Sequence, residues 1–422
     1  MLNNKQKDIF ALILFISCAF LISNVNSKII NGLYHTTEEL YQVLDKLVDV
    51  CPFTLVKRAI NYDNKQMIYY TLGKAGAGVN TSAFIFGEHS REIITTELAL
   101  YFIKSICSKF SKYDMDTRKE IMKRNYFIIV PIVNEFGRKK VEQGNYCKRT
   151  NENGVDLNRN WDNHWKKTTA DNTFSGNKPF SEWQTKILKH ILEKYKATIH
   201  VSIHSGVLGM YIPFAYKTID INNKLLQDSE TKKLRKMITV LKSINKKYCK
   251  CRSGPAANEL FYLCPGNNLD YAFENNKSKY AFAFEIYDGD TENPEFLKII
   301  NSDKPKFFNF AKFTGKSLIG ALVETGSSSN MKAGSKTGLR LKENEEYIKN
   351  EYKWDLSHGS CFSQTSVKIK SNTKEGTSEN NKCLKQFNPI TKKHFDNTLI
   401  NWTNVLFQLV SSVNSKTFKS LE

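Results

Sequence analysis

Three residues with metal-binding side chains follow two separate strand candidates of the sequence. His89 and Glu92, three positions apart, come shortly after the β-rich run 83–86. His204 follows a second strand candidate, 199–203. An imidazole and a carboxylate at this spacing can face one point at a strand-to-helix turn, and both are donors that a borderline-soft ion such as Zn²⁺ accepts. Two close ligands and a distant third are typical of a catalytic zinc site with room for water, whereas the first pair alone could be a solvated helix start.

A second polar cluster, Asp156–Trp161, places an arginine between two asparagines. The Arg159 guanidinium is a planar fork suited to a carboxylate, and the neighbouring Asn158 amide can complete its grip. Asp156 could accept the second ring proton of His89 and so fix the tautomer of that imidazole. Without the other signals, the cluster would be interpreted as a surface turn.

Glu285 is a third candidate, in a segment where Phe282 and Phe284 alternate with alanines as in a half-buried strand. A carboxyl group among apolar neighbours should have a raised pKa and could exchange protons with a metal-bound water. The alternative is an edge-strand glutamate that points at solvent.

The elements that must position these residues alternate between strands and helices. A capping box of Thr36 and Glu39 begins one helix, and an amphipathic pattern over 182–195 predicts another. Short β-rich or apolar runs predict strands at 67–72, 83–86, 126–133, 197–203 and 280–286. This alternation predicts a three-layer α/β/α sandwich with a mixed, mostly parallel central sheet.

The N-terminal segment 1–27 is predicted to be a signal peptide. Lys5 and Lys7 precede an apolar run that is shorter than the roughly 20 residues a bilayer span needs, and small residues follow it. An uncleaved signal anchor is the alternative. We therefore expect a secreted protein, or one of the secretory or vacuolar lumen, without stable membrane insertion.

The rest of the chain divides into three segments. A main domain over 28–290 is followed by a polar, partly disordered insertion over 291–382, within which 371–381 is predicted to be a linker or flexible loop. The last segment, 383–422, is predicted to be a helix that completes the main domain, and a separate C-terminal module is the alternative. One face of this helix carries four apolar residues: Phe395, Leu399, Trp402 and Leu406.

Composition narrows the function classes further. The 422 residues include 62 Lys plus Arg against 42 Asp plus Glu, a formal charge of +20, but the basic residues form no single stripe and we expect no nucleic-acid partner. A mean hydropathy of −0.44 excludes a polytopic membrane protein. The even number of cysteines outside 1–27 predicts disulfides. Three sequons predict N-glycosylation, at Asn80, Asn276 and Asn401.

Taken together, the motifs resemble those of the zinc carboxypeptidase family, the carboxypeptidase A-like group. Four motifs stand in the family's order: His89-Ser-Arg-Glu92, Gly154-Val-Asp-Leu-Asn-Arg-Asn-Trp161, His204-Ser-Gly206 and Phe284-Glu285. The resemblance covers about 34–287 and resumes from residue 383 through the last helix. The loop 147–156 and the closing Phe387-Asn-Pro389 look most like the plant and protist branch.

The resemblance implies a zinc-dependent exopeptidase that releases single amino acids from peptide C-termini. His89, Glu92 and His204 match the ligands of one Zn²⁺ per chain, and Glu285 matches the general base for the attacking water. Arg149 matches the arginine that polarises the scissile carbonyl, with Lys148 as the alternative. The matched substrate contacts are Asn158 and Arg159 for the terminal carboxylate, Arg91 upstream of the cut, and the mobile Tyr262.

The same alignment indicates the pocket for the C-terminal side chain. Its floor should include Asn267, Asn268 and Leu269, with Ala215 on the opposite wall. Relatives that prefer basic residues carry an acidic residue at the position of Leu269 or Ala215. We therefore expect neutral, apolar or aromatic C-terminal residues, although Asp270 lies nearby.

Other functions remain open at this point. One is an inactive family member that serves as a binding module. Another is a deglutamylase or wall-peptide hydrolase of the same fold, which a basic pocket residue such as Arg149 or Lys148 would favour. For the peptidase we expect peptide or protein C-termini as substrates and a monomeric chain.

Overall fold

The computed structural model describes residues 29–223, 225, 228–289 and 374–413. The predicted signal peptide over 1–27 lies outside the described residues, as does the predicted insertion up to residue 373, so both stay predictions. Within the described ranges, no helix has the length and apolar character needed to cross a membrane.

The described strands form one sheet with helices on both sides. The strands are β1 (Leu55–Tyr62), β2 (Lys65–Leu72), β3 (Asn80–Phe86), β4 (Asn125–Val130), β5 (Ile199–His204), β6 (Gly209–Ile212), β7 (Arg252–Pro255) and β8 (Tyr280–Glu285). The helices are α1 (Ile29–Gly32), α2 (Thr37–Val50), α3 (Ile93–Cys107), α4 (Met115–Arg124), α5 (Glu135–Glu142), α6 (Trp183–Tyr195), α7 (Ser229–Tyr248), α8 (Ala256–Leu260), α9 (Asn268–Glu274), α10 (Lys374–Phe387) and α11 (Lys392–Val413).

The sheet is mixed, with a parallel centre. Its strand order is β1-β2-β4-β3-β5-β8-β6-β7. The four strands β4, β3, β5 and β8 run parallel, while β2 and β6 join them antiparallel on either side. Because β3, β5 and β8 run parallel side by side, their carboxyl ends meet at one edge, where α/β sheets generally bind ligands.

Two apolar layers cover the sheet. On one face, Phe102 of α3 packs against the rings of Phe84 and Phe127, and Trp402 of α11 packs against Phe284. On the other face, α6 buries its apolar side, including Ile187, against β2, β3 and β4. The predicted three-layer sandwich is confirmed, and α11 packs in the same core as α3 and α7.

Several local predictions can be compared with the structure. The capping box is confirmed, since the Thr36 and Glu39 side chains each accept the other's backbone N–H. β4 ends at Val130 rather than residue 133 because Pro131 has no N–H for the ladder. The strand predicted at 280–286 is confirmed as β8, but the expectation that it is half-buried is wrong, because β8 lies between two strands and all its residues are buried.

The predicted flexible loop over 371–381 is wrong from Lys374 onward, where α10 begins. The polar composition of this helix hid its one anchored side, where Cys383 and Phe387 are buried. Cys383 forms a disulfide with Cys147 across 236 positions of sequence. α10 is therefore tied covalently to the loop that precedes Arg149.

The expected disulfides are present. Besides the bond to α10, the structure pairs Cys51 with Cys107 and Cys249 with Cys251. The three predicted sequons differ in exposure. The Asn401 amide is buried within α11 and donates to Tyr248 O, so Asn401 cannot accept a glycan in the folded chain. Glycosylation of the half-buried Asn80 and Asn276 stays a prediction.

Candidate metal centre

The turn between β3 and α3 carries two of the candidate ligands. Gly87 leaves β3 with a φ of 65°, and a Cβ there would lie 2.9 Å from Thr96 Cγ2 and 3.2 Å from Ile132 Cα. Both the conformation and the space therefore favour glycine. His89 and Glu92 follow, each fully buried. Glu92 is the N-cap residue of α3 but makes no side-chain capping bond, so its carboxylate is available to the site.

The three predicted ligands converge on one point. His89 Nδ1 lies 2.8 Å from Glu92 Oε1 and 3.1 Å from His204 Nδ1. His204 Nδ1 lies 3.1 Å from Glu92 Oε2. One donor atom from each residue lies within 4.8 Å of the others, and no other group of three such residues does so within the described part of the chain.

The surroundings of His89 suit a cation site. His89 Nε2 lies 3.1 Å from Asp156 Oδ1, a carboxylate oxygen that can accept the ring proton, while Nδ1 faces Glu92 Oε1 and His204 Nδ1. With the proton on Nε2, the Nδ1 lone pair would be directed at Glu92 and His204, and a cation between these groups would relieve their repulsion. Two imidazoles and a carboxylate are a donor set that fits Zn²⁺.

Asp156 organises the charges around the cluster. Its Oδ2 accepts hydrogen bonds from Arg149 Nη2 at 2.8 Å and Arg149 Nε at 3.1 Å. Burial opposes ionisation of this carboxyl group, but the guanidinium groups of Arg149 and Arg159 hold its pKa well below the usual range. Asp156 therefore remains an anion that can orient His89, as the sequence suggested.

The two basic residues proposed for the scissile carbonyl lie in different places. Arg149 Nη1 lies 3.1 Å from His89 Nδ1 and 3.6 Å from Glu92 Oε1, in the buried cluster. Lys148 Nζ instead donates to Thr150 Oγ1 at 3.0 Å. The structure therefore brings Arg149, and not the amino group of Lys148, to the candidate ligands.

Glu285 ends β8 and is paired in register with His204, the last residue of β5. Its Oε2 accepts the backbone N–H of Val207 at 3.4 Å, while its buried Oε1 has no hydrogen-bond partner among the described residues. Burial, with the nearby Glu92 charge, raises the pKa of Glu285 well above its usual value. This agrees with the raised pKa expected from its apolar neighbours.

The residues matched to substrate contacts surround the cluster. Asn158 and Arg159 lie in the 3₁₀ turn Leu157–Arg159, and Arg159 Nη1 lies 3.6 Å from Asp156 Oδ2. Burial lowers the pKa of Arg159, and Tyr262 is one of the nearby groups that act on it. Tyr262 is half-buried between two exposed apolar residues in a loop after α8.

The predicted pocket residues lie around one buried carboxylate. Asp270 Oδ2 accepts hydrogen bonds from the backbone N–H groups of Ala215 and Tyr216, each at 3.0 Å, and from Asn267 Nδ2 at 2.7 Å. Burial raises the pKa of Asp270 to about 7, while these donors act to lower it. Leu269, the residue before Asp270, is fully buried. The acceptors of Asp270 are thus already engaged within the protein.

Sequence reasoning missed Ser202 and Glu88, which support His204, and assigned Asn268 only to the pocket floor. Ser202 Oγ lies 2.7 Å from His204 Nε2 and accepts from Asn268 Nδ2, which also donates to Glu88 Oε2 at 2.6 Å. Glu88 also accepts from the Trp161 indole, and burial raises its pKa to about 7. The available signals were the position of Glu88 beside His89 and the two-residue spacing of Ser202 and His204 on one strand face.

A buried His-Glu-His cluster at the carboxyl ends of parallel strands, with a glutamate in register, defines a candidate metallohydrolase centre. The family model for zinc carboxypeptidase, Peptidase_M14, matches residues 40–306. The chain therefore belongs to the zinc carboxypeptidase family, whose members are zinc-dependent hydrolases. The finer likeness to the plant and protist branch stays a prediction.

Individual relatives agree with this assignment at modest identity. Carboxypeptidase A6 of Mus musculus is 27% identical over 273 residues, which are 60% of this chain and 60% of that protein. Carboxypeptidase A1 of Sus scrofa is 28% identical over 277 residues, 60% of this chain and 62% of that protein. The chain therefore spans about three fifths of the length of the mouse carboxypeptidase A6 that it matches.

A solved structure agrees with the fold. The crystal structure of thrombin-activatable fibrinolysis inhibitor aligns with a TM-score of 0.50 and 23% identity, over 60% of this chain and 66% of that chain. At this identity the likeness concerns the fold alone.

Proposed function

We propose that the protein is a metallocarboxypeptidase that hydrolyses the last peptide bond of peptides or proteins and releases single amino acids. The observation that carries this proposal is the convergence of His89, Glu92 and His204 within 4.8 Å, with Glu285 in register beside His204. These three residues would hold one Zn²⁺. When bound, such an ion lowers the pKa of water towards about 7 and polarises a carbonyl group.

Glu285 is proposed as the proton carrier. Its buried Oε1 has no hydrogen-bond partner among the described residues, so it can accept a proton from the attacking water. The raised pKa of this carboxyl group then favours holding the proton until the leaving amine takes it. Arg149, kept charged by its ion pair with Asp156, would stabilise the negative charge that develops on the carbonyl oxygen, an effect worth about 3–4 kcal/mol.

Arg159 and Asn158 are proposed to select a free C-terminus. A guanidinium binds a carboxylate through paired hydrogen bonds, so substrates with a terminal carboxylate would place their last peptide bond at the metal. Arg91 would contact the peptide upstream of the cut, and Tyr262 would close over the bound end.

The first test compares peptides that end in a free carboxylate with the same peptides amidated at the C-terminus. We expect stepwise loss of single residues from the free peptides, detected by mass spectrometry. Amidation should lower kcat/KM by about 10- to 100-fold, because charge-assisted hydrogen bonds contribute about 1.5–3 kcal/mol. Internal cleavage, or equal rates on both peptides, would contradict the exopeptidase assignment.

The pocket residues predict a preference for neutral, apolar or aromatic C-terminal side chains. Neither Leu269 nor Ala215 is acidic, and Asp270 already accepts three protein hydrogen bonds, so a buried Lys or Arg would lack a partner. The variant Leu269→Asp should therefore shift the preference towards Lys and Arg by at least about tenfold in relative kcat/KM.

Peptides that differ only in their last residue measure this preference. Leu269→Asn is the matched control, because it introduces a polar side chain of similar size without the charge. The pocket assignment is wrong if the Asp and Asn variants keep the same profile as the original chain.

The inactive-module alternative is disfavoured by the retention of all three ligands and Glu285. The location is also a proposal. Three disulfides among the described residues support a secretory or vacuolar lumen, since such bonds persist in oxidising compartments. We retain the expectation that the chain acts as a monomer.

A further inference from the structure

A short segment at the end of α10 contacts the backbone on both sides of the candidate metal ligands. We call residues 386–389 the clasp. Gln386 Nε2 donates to Gly206 O at 2.8 Å, and the carbonyl oxygen of Phe387 accepts from Ser205 Oγ at 2.8 Å. Both contacts fall on the residues that directly follow His204. The clasp therefore touches the chain beside one ligand, although it lies about 180 positions away in sequence.

Asn388 in the clasp holds the turn that carries the other two ligands. Its Oδ1 accepts the backbone N–H of Ile94 at 3.0 Å, and its Nδ2 donates to Arg91 O at 2.8 Å. These two bonds fix the backbone on both sides of Glu92. Asn388 is 1% exposed, so water does not compete for them.

The need for this arrangement follows from the position of Glu92. An N-cap side chain normally accepts one of the first free N–H groups of its helix. Glu92 occupies the N-cap of α3 but directs its carboxylate to the imidazoles of His89 and His204. Asn388, which lies 294 positions after Ile94, supplies the acceptor for Ile94 N–H that the Glu92 side chain does not provide. A residue distant in sequence thereby caps the helix and leaves Glu92 to the metal.

Phe387 acts on the same turn through a side chain. The guanidinium carbon of Arg91 lies 4.0 Å from the centre of the Phe387 ring, and both side chains are buried. A desolvated contact of this kind favours one position of the guanidinium. The clasp therefore fixes both the backbone and the side chain of Arg91.

We propose that Asn388 is a positioning residue for Glu92 and Arg91, which presets the ligand turn for zinc and for the upstream part of a peptide. The zinc part of this proposal concerns binding alone. The peptide part rests on the proposed carboxypeptidase function.

The test uses the full chain with Asn388→Ala and a matched control, Asn401→Ala. Asn401 is also a buried asparagine, but its amide donates to Tyr248 O between α7 and α11. Both variants lose buried hydrogen bonds and should lower the midpoint of thermal unfolding. Competition with a chromophoric chelator measures zinc affinity, and kcat/KM is measured on dipeptide and longer peptide substrates.

Asn388→Ala is expected to weaken zinc binding by about tenfold or more, as is typical when a group that orients a ligand is lost. It should also lower kcat/KM more on longer peptides than on dipeptides, because Arg91 is released. Asn401→Ala should change zinc affinity and the length dependence by less than about twofold.

If Asn388→Ala does not fold, Asn388→Asp provides a second measurement. The carboxylate keeps an acceptor for Ile94 N–H but loses the donor to Arg91 O, so zinc affinity should fall less than the preference for longer peptides. Zinc affinity equal to that of the control variant in both Asn388 variants would overturn the proposal. An original chain that binds zinc tightly but hydrolyses no peptide would contradict the proposed function, and the affinities would still decide the role of Asn388.

Discussion

Glu285→Gln is expected to lower kcat by about 10²- to 10⁴-fold while leaving zinc content unchanged, because general acid–base catalysis contributes factors of this size. The amide has nearly the same shape as the carboxyl group but cannot take up the proton of the attacking water. Among the described residues, the Glu285 carboxyl group accepts a hydrogen bond from Val207 N–H and from none of the three candidate ligands. The loss should therefore lie in the chemical step and not in the metal site.

Glu97→Gln is a suitable control for this variant. Glu97 lies on α3, away from the ligand turn, and is also buried. Its carboxylate binds the backbone N–H and the imidazole of His35. It should lose stability and keep kcat within about twofold. Steady-state rates, together with zinc content by atomic absorption, distinguish the cases. A fully active Glu285→Gln protein would exclude the proton-transfer role.

Removal of the metal is expected to abolish hydrolysis. A chelator should bring peptide cleavage to background, and stoichiometric Zn²⁺ should restore it, because only the ion brings water and carbonyl together in the chemistry proposed. The same ion should stabilise the fold, since an ion that binds the folded chain at 1,000 times its dissociation constant contributes about 4.1 kcal/mol. Thermal unfolding of the stripped and reloaded protein measures this difference.

His204→Ala separates loss of the metal from a side effect of the chelator. This variant should bind zinc weakly and remain inactive after Zn²⁺ is added, whereas the stripped original chain recovers. Cleavage that survives complete chelation would show that the reaction does not need the ion. In that case the assignment of His89, Glu92 and His204 as ligands would be wrong.

The central strands could be predicted from sequence because they are buried on both faces. β4 and β8 therefore appear as almost continuous apolar runs, and β3 and β5 keep short apolar or β-branched cores at 83–86 and 199–203. β1 escaped prediction, since most of this edge strand is exposed or half-buried and includes Lys57 and Arg58. β7 is only four residues long and contains Gly254 and Pro255, which usually indicate a turn.

The candidate ligands could be predicted because their donor types and spacing are themselves the signal, and Asp156 was predicted to orient His89 because it lies in the Asp156–Trp161 cluster. The other groups that orient the ligands carry no such pattern. Asn268 reaches Ser202 and Glu88 across 66 and 180 positions, and only the sheet brings them together. Asn388 lies in a polar stretch whose helical neighbour, α10, has few apolar residues to mark it. Long-range polar contacts of this kind depend on the folded topology and not on local sequence.

The contacts of Asn388 also have a consequence for the order in which the chain can fold. All three candidate ligands and Glu285 lie before residue 289, but the cap of α3 and the cysteine that pairs with Cys147 lie beyond residue 380. Contacts between such distant positions are costly in loop entropy and form slowly. A nascent polypeptide emerging from the ribosome would thus carry every candidate ligand well before Asn388 could cap α3, so the ligand turn is expected to become fixed only after synthesis has passed the clasp.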